Sequence, residues 1–250
     1  MKTFVVIPTY NEAENTPLIA KALFDLGLDD LHLLIVDDNS PDGTGQVAES
    51  LKVDYGERVM VLHREGKKGL GTAYLEGFKI CLQEGAEAIV QMDADFSHNP
   101  KKVLELLSGL DRNSLMAGSR YVEGGSLDEG WAAWRKSLSS FGNFYARVIL
   151  GMPILDVTGG FRAWRRETLL GIPLDRVKSQ GYAFQVEMAY ITYLSGYSIE
   201  EIPIYFADRE RGDSKMSLGI QVEAAKRVWS ILFEYRDLRK KRHNKYIQMP

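Results

Sequence analysis

Val90-Gln91-Met92-Asp93-Ala94-Asp95 is an apolar run that ends in two carboxylates spaced one residue apart. Residues i and i+2 of a strand share a face, so Asp93 and Asp95 leave the strand end on the same side. Carboxylates held that close repel, unless a cation sits beside or between them. Hard divalent ions such as Mg2+ or Mn2+ take oxygen ligands of this kind and share them with substrate phosphates. A plainer reading is a solvated strand end whose acidic groups help cap the helix opening at Asn99-Pro100. Both readings require a strand over Ala88 to Met92.

Working outward from that strand, Phe4-Val5-Val6-Ile7, Leu31 to Val36, Val59-Met60-Val61-Leu62 and Leu115-Met116-Ala117 have the same character. Each is short, apolar and bounded by polar or turn residues, as strands buried on both faces should be. Amphipathic segments near 12–26, 44–54, 69–84 and 100–110 separate them. The alternation predicts an α/β fold, a doubly wound and mostly parallel sheet.

In such sheets ligands sit at the carboxyl ends of the strands. Those ends are Pro8-Thr9-Tyr10-Asn11-Glu12, Asp37-Asp38-Asn39-Ser40 and Asp93-Ala94-Asp95. An acidic residue such as Asp38 can accept hydrogen bonds from ribose hydroxyls or a base there. It can equally belong to an Asx turn leading through Pro41-Asp42-Gly43, and the two roles are compatible. The chain lacks Gly-x-Gly-x-x-Gly after the first strand and lacks a phosphate loop ending in Gly-Lys-Ser/Thr. The sequence therefore argues against a dinucleotide cofactor and a P-loop NTPase. Any bound phosphates must be held by a metal and by arginines.

The second half is less regular. A Gly-rich acidic loop from Glu123 to Gly130 precedes a helix expected over about Trp134 to Leu150. Thr158-Gly159-Gly160-Phe161-Arg162 reads as a turn, with a further helix from Tyr182 to Ser195 and a β-rich stretch from Tyr197 to Phe206. A polar segment, Asp208 to Lys215, leads into a long amphipathic helix over about Ser217 to Tyr235. Neither repeats nor a low-complexity linker interrupt the pattern. One domain over 1–235 is expected, with 1–120 and 121–235 as its halves and 236–250 as a basic tail.

The 250 residues suffice for one α/β core, and 45% hydrophobic with 26% charged residues is ordinary for a globular protein. A net charge of −3 supplies no field to draw in nucleic acid. Cys81 is the only cysteine, which excludes an intrachain disulfide and suits a reducing compartment. Met1 to Pro8 lacks the pattern of a cleaved signal, and no run approaches the roughly 18 apolar residues of a membrane span. A cytoplasmic protein is expected.

Taken in order, Val-Val-Ile-Pro-Thr-Tyr-Asn-Glu, Val-Asp-Asp-Asn-Ser-Pro-Asp-Gly-Thr and Asp-Ala-Asp resemble glycosyltransferase family 2. Over nearly its whole length the chain resembles the polyprenol- or dolichol-phosphate mannose synthases of that family. Gly69 to Ala73, Gly118-Ser119-Arg120-Tyr121, Asp156 to Arg162 and Arg209 to Lys215 carry this closer likeness. It implies a GT-A fold, a divalent metal (Mg2+ or Mn2+), a GDP-mannose donor and a polyprenyl monophosphate acceptor. Carried across by motif, Pro8, Tyr10, Asn11, Glu12, Val36 and Asp38 would line the nucleotide-sugar pocket with Asp93, Ala94 and Asp95. Arg209, Arg211 and Lys215 would close over the donor diphosphate. Asp95 would bind the metal directly. In several relatives a glutamine two residues further on joins it, and here that position is Ser97, which would serve as a weaker hydroxyl ligand to the metal.

Two phosphates must meet in such a reaction, and Arg pairs bidentately with phosphate. By resemblance Arg120, Arg135 and Ser139 form the acceptor-phosphate clamp; Arg135 and Ser139, spaced i, i+4, share a helix face. Asp93, Asp95 and Arg120 would carry the catalytic electrostatics. A phosphate monoester is already ionised near neutral pH, its second pKa being about 6, so no catalytic base is required. His98 then reads as support for the acidic motif or as the flank of the Asn99 cap. A polyprenyl acceptor lies in a membrane, so peripheral contact with its cytoplasmic face is expected. Candidate anchors are the basic run from Arg236 to Lys245 and the apolar Val228 to Phe233, or a separate membrane-anchoring partner protein. Rival readings are a UDP-glucose-dependent polyprenyl-phosphate glucosyltransferase, a nucleotidyltransferase and a nucleotide-sugar sensor. Processive polysaccharide synthesis would call for membrane spans and Gln-x-x-Arg-Trp, both absent.

Overall fold

The computed structural model describes residues 1–207 and 218–247, and the strands of its first half fall where the apolar runs do. In chain order the first half comprises β1 (Thr3–Thr9), α1 (Asn15–Phe24), β2 (Leu31–Asp37), α2 (Thr44–Ser50), α3 (Lys52–Tyr55), β3 (Val59–His63), α4 (Leu70–Gln83), β4 (Ala88–Gln91), α5 (Lys102–Gly109) and β5 (Leu115–Ser119). The second half continues with β6 (Ser126–Leu127), α6 (Ala133–Leu150), β7 (Arg162–Arg165), α7 (Arg166–Gly171), α8 (Gly181–Leu194), β8 (Ile199–Pro203), β9 (Tyr205–Phe206), α9 (Leu218–Glu234) and α10 (Arg236–Ile247).

Seven strands form one sheet in the order β3-β2-β1-β4-β7-β5-β8. All neighbours run parallel except β7, which lies antiparallel between β4 and β5. Alternation along β1 sends Phe4 and Val6 into one core with α4 and α8, and Val5 and Ile7 into the other with α1 and α5. Both faces are thus covered, which is why the strands read as continuous apolar runs. Burying each such Val or Ile contributes about 1.5–3 kcal/mol. Gly77 of α4 lets that helix lie close on the sheet, since a Cβ there would stand 2.6 Å from Val6 Cγ1.

Two expectations need correction. Thr158 to Arg162 is not only a turn: Arg162 opens β7, and its side chain is 1% exposed. Its guanidinium donates to the Gln185 and Val157 carbonyls at 2.8 and 3.0 Å, and burial lowers its pKa to about 10. The Glu123–Gly130 loop also contains β6, which pairs in parallel with β9. The helix after Asn99 starts two residues later than expected, at Lys102: Pro100 and Lys101 form a turn ahead of it, in which Asn99 Oδ1 accepts the Lys101 N–H at 3.0 Å. Residues 236–247 of the expected basic tail are α10. It packs on α8 and α9 and is pinned by Arg176, which grips Asp237 at 3.0 Å through both terminal nitrogens.

Candidate active site

Three loops at the carboxyl ends of β1, β2 and β4 build one side of the site. Each contains a non-glycine residue in the left-handed region: Asn11 (φ 62°), Asn39 (φ 56°) and Phe96 (φ 58°). Asparagine tolerates that conformation, but a bulky aromatic residue is strained there, and such strain collects at functional sites. The first two loops are laced together. The Asn11 N–H donates to Ser40 Oγ at 3.1 Å, Glu12 to Thr44 Oγ1 at 2.9 Å and Ala13 to Asp42 Oδ2 at 3.1 Å. Asp37 is the clasp, accepting from Ser40 Oγ at 2.5 Å, the Ser40 N–H at 3.2 Å and Thr9 Oγ1 at 3.3 Å.

Asp38, by contrast, faces Arg64, whose terminal nitrogens reach Asp38 Oδ1 and Thr72 Oγ1, each at 2.5 Å. Burial raises the Asp38 carboxyl pKa in spite of that cation. Lys67 stands 4.1 Å over the Tyr10 ring, which is 36% exposed at the mouth of this loop pair. Pro8 and Glu12 are half-buried beside it, with Glu12 Oε2 held by Asn15 at 2.8 Å. Val36 sends its side chain into the core, so only its backbone is available to a ligand.

At the end of β4, Asp93 is half-buried, Ala94 is buried and Asp95 is 9% exposed. Ser97 donates to Asp95 Oδ1 twice, from Oγ at 2.6 Å and from its N–H at 3.1 Å. That fixes the direction of the Asp95 carboxylate. The Tyr74 hydroxyl, fully buried on α4, lies 3.1 Å from the Met92 carbonyl and 3.3 Å from Asp93 Oδ1. Burial and the nearby Asp93 push its pKa well up, so it stays a donor. The Asp93 N–H donates to His98 Nδ1 at 3.4 Å, and burial depresses the imidazole pKa, which keeps that nitrogen an acceptor. Among the described residues no three acidic, histidine or cysteine groups converge as a complete metal cage. Asp93 and Asp95 suit a hard cation that draws its remaining ligands from phosphate oxygens and water.

The other side of the site centres on Arg120 at the end of β5. Its Nε and one terminal nitrogen grip Asp156, both at 2.7 Å, and the same terminal nitrogen reaches Thr158 Oγ1 at 2.8 Å. Burial works against both charges, but mutual attraction wins: the Asp156 pKa is lowered and that of Arg120 raised. Glu201 on β8 fixes the Asp156 loop by accepting the Leu155 and Asp156 N–H groups at 2.6 and 2.7 Å. Tyr121 and Ser139 share a hydroxyl hydrogen bond of 3.0 Å, and Arg135 lies 3.6 Å over the Trp131 ring.

Aromatic rings join the two sides. His98 stacks on Phe161 at 4.9 Å and meets Phe206 edge-on at 5.4 Å. Phe206 in turn lies 5.3 Å from the Arg120 guanidinium and 5.8 Å from Trp131. The Ala207 N–H donates to the Ser97 carbonyl at 3.2 Å, tying β9 to the acidic loop. Arg120 and Arg135 are thus linked to the Asp93–Asp95 loop through Phe206, Trp131 and His98, while Ser139 meets Tyr121 next to Arg120. Arg209, Arg211 and Lys215 lie outside the described residues.

Sequence reasoning missed Arg64, Tyr74 and Glu201, and it named Thr72 and Asp156 only within motifs. Arg64 stands in an ordinary polar run, and Tyr74 reads as helix core. Only the fold brings them against Asp38, Asp93 and the Asp156 loop.

A family model for glycosyl transferase family 2 matches residues 4–170. Polyprenol monophosphomannose synthase of Mycolicibacterium smegmatis is 46% identical over 217 residues, 86% of this chain and 81% of that protein. Undecaprenyl-phosphate mannosyltransferase of Micrococcus luteus is 43% identical over 241 residues, 96% of this chain and 98% of that protein. Among solved structures, glucosyl-3-phosphoglycerate synthase of Mycobacterium tuberculosis, in complex with Mn2+, UDP-glucose and phosphoglyceric acid, superposes with a TM-score of 0.63 at 18% identity. That superposition covers 92% of this chain and 78% of the other, and it shows a shared fold. On its sequence and its fold together, the chain belongs to glycosyltransferase family 2.

Proposed function

We propose that the chain is a metal-dependent, inverting mannosyltransferase that moves mannose from GDP-mannose to a polyprenyl monophosphate. The observation that carries this reading is the gathering of a carboxylate pair and an arginine cluster around one set of aromatic rings, Phe161, Phe206 and Trp131. An acidic motif suits a cation with the donor diphosphate, and the arginines suit a second phosphate. The names of the two relatives above support both the sugar and the lipid class.

Asp93 and Asp95 would hold Mg2+ or Mn2+, which supplies Lewis-acid stabilisation of the departing diphosphate. Ser97 and Tyr74 keep those carboxylates aimed. Pro8, Tyr10, Asn11, Glu12 and Asp38 flank the nucleoside, and Arg209, Arg211 and Lys215 belong over the diphosphate. Arg120, Arg135 and Ser139 position the acceptor phosphate. An acceptor oxygen attacks the anomeric carbon in line, and the bond to the diphosphate oxygen breaks with its electron pair leaving on GDP. The configuration inverts, and no protein base is needed, because the acceptor is already ionised.

Such an acceptor places the enzyme at the cytoplasmic face of a membrane, either directly or through a membrane-anchoring partner. Among the described residues no helix is long and apolar enough to cross a membrane. The test is transfer to a short-chain polyprenyl phosphate from radiolabelled GDP-mannose or UDP-glucose, with and without chelator. Chelator-sensitive transfer from GDP-mannose is expected; transfer from UDP-glucose alone would overturn the donor assignment.

A further inference from the structure

The start of α4, Gly69-Leu70-Gly71-Thr72, joins the two halves of the chain. Gly69 sits in the left-handed region (φ 101°). Gly71 has no room for a side chain, since a Cβ there would stand 2.5 Å from the Ser179 carbonyl and 3.0 Å from the Phe184 ring. The Gly71 N–H donates to Gln180 Oε1 at 3.0 Å. Ser179, beside that glutamine, is itself clamped: its N–H donates to the fully buried Glu187 at 2.8 Å, and its Oγ accepts from Arg227 Nε of α9 at 2.7 Å.

On its other side the same turn of helix holds Arg64. Thr72 Oγ1 accepts from one terminal nitrogen of Arg64 at 2.5 Å while donating to the Gly69 carbonyl at 2.9 Å. Glu76, one turn along α4, lies 3.4 Å from Arg64 Nε. The Arg64 N–H donates to the Asp37 carbonyl at 2.8 Å, so backbone and side chain are both fixed. A guanidinium is a rigid planar fork, and holding two of its arms sets the direction of the third. That third arm takes Asp38 Oδ1 at 2.5 Å. Asp38 Oδ2 has no hydrogen-bond partner among the described residues.

We propose that Arg64 is a positioning residue for the donor's nucleobase: braced by Thr72, it commits one oxygen of Asp38 and leaves the other as a single acceptor for the base's imino N–H. This rests on the nucleotide-sugar reading above and deepens it. A single acceptor reads guanine through N1–H and has no second oxygen for the exocyclic N2 amine. Adenine presents a lone pair at N1, which a carboxylate oxygen repels. Arg64 also keeps that acceptor ionised. Burial pushes the Asp38 pKa up and Asp37 adds to the push, while Arg64 and Lys67 are the cations that oppose it.

The test is calorimetric binding of GDP, IDP and ADP to the full chain with Mn2+, alongside donor KM and kcat in the transfer assay. Wild type should bind GDP and IDP about equally, and ADP about tenfold or more weakly. T72V keeps shape but removes the brace. Its GDP affinity and donor KM should each worsen about five- to tenfold with kcat nearly unchanged, and T72S should restore both. In R64Q, GDP binding should fade at a higher pH than in wild type, because the buried Asp38 carboxyl, without its cation, takes up a proton more readily. Unchanged GDP binding in T72V, whatever its stability, would overturn the inference. So would ADP binding as tightly as GDP, or IDP binding about tenfold more weakly than GDP, which would mean that N2 is read as well. No binding of any of the three to wild type would instead bring down the nucleotide-sugar reading, and this inference with it.

Discussion

The two sides of the site manage charge differently. Around β1, β2 and β4, the described contacts that aim Asp37, Asp93 and Asp95 come from hydroxyls and backbone amides: Thr9, Ser40, Tyr74 and Ser97. Neutral donors fix a carboxylate's direction without cancelling its charge. At the end of β5, Arg120 is instead matched by Asp156 in a buried bidentate pair. The first arrangement sets the direction of the carboxylates that would meet an incoming cation. The second makes a rigid post that can stand beside a phosphate without costing the apo protein an unpaired buried cation.

Removing Asp156 should have the largest effect, because it strands the buried Arg120. D156A should lose about 3–5 kcal/mol of unfolding free energy in chemical denaturation. A loss below about 1 kcal/mol would mean that the pair is not the post described here. On the opposite side, D95N keeps shape and the bonds from Ser97 while removing charge. Its transfer rate should drop about 10²–10³-fold with little change in the unfolding midpoint, and near-normal activity would break the contrast. S97A leaves the charge and loosens its aim. Half-maximal activity should then require about tenfold more metal, the usual order for a group that orients a ligand.

The half-exposed Arg176–Asp237 pair gives the smallest effect and a pH signature. Its hydrogen bond with Arg176 lowers the Asp237 pKa to about 2 from the ordinary 3.8. A depressed carboxyl stabilises the fold above its unfolded value, and that contribution fades as pH falls through the folded one. D237N should therefore cost less than about 1 kcal/mol near neutrality. Wild type and variant should converge toward pH 2. A gap that widens on acidification would show that the pair plays another role.

The parallel half was legible because local patterns decide it. Apolar runs marked five strands, and their polar ends marked the loops where Asp38, Asp93 and Asp95 stand. Asn99-Pro100 announced its helix start to within two residues. β7 was not legible: Gly159-Gly160 reads as a turn, and Arg162 looks like a surface charge until Gln185 and Val157 supply carbonyls from far along the chain. Arg64 and Tyr74 were hidden for the same reason, since their partners Asp38 and Asp93 are neighbours only in space. Which side of α6 faces the core was not legible either, because that depends on tertiary packing.

The placement of β7 also constrains how the molecule reaches its native state. β4 and β5 follow each other in sequence yet never pair; β7 must arrive from more than forty residues beyond β5 and slot between them. Until it does, the parallel half ends in an open β4 edge and β5 has no partner on that side, edges able to recruit other chains. Strand pairing across such a separation is slow, because loop closure precedes the contacts that reward it. Synthesis from the N-terminus therefore passes through a stage with the acidic loop's strand formed and its neighbour missing. A chain truncated before Arg162 should be held at that stage, and aggregation through the β4 edge is its expected fate.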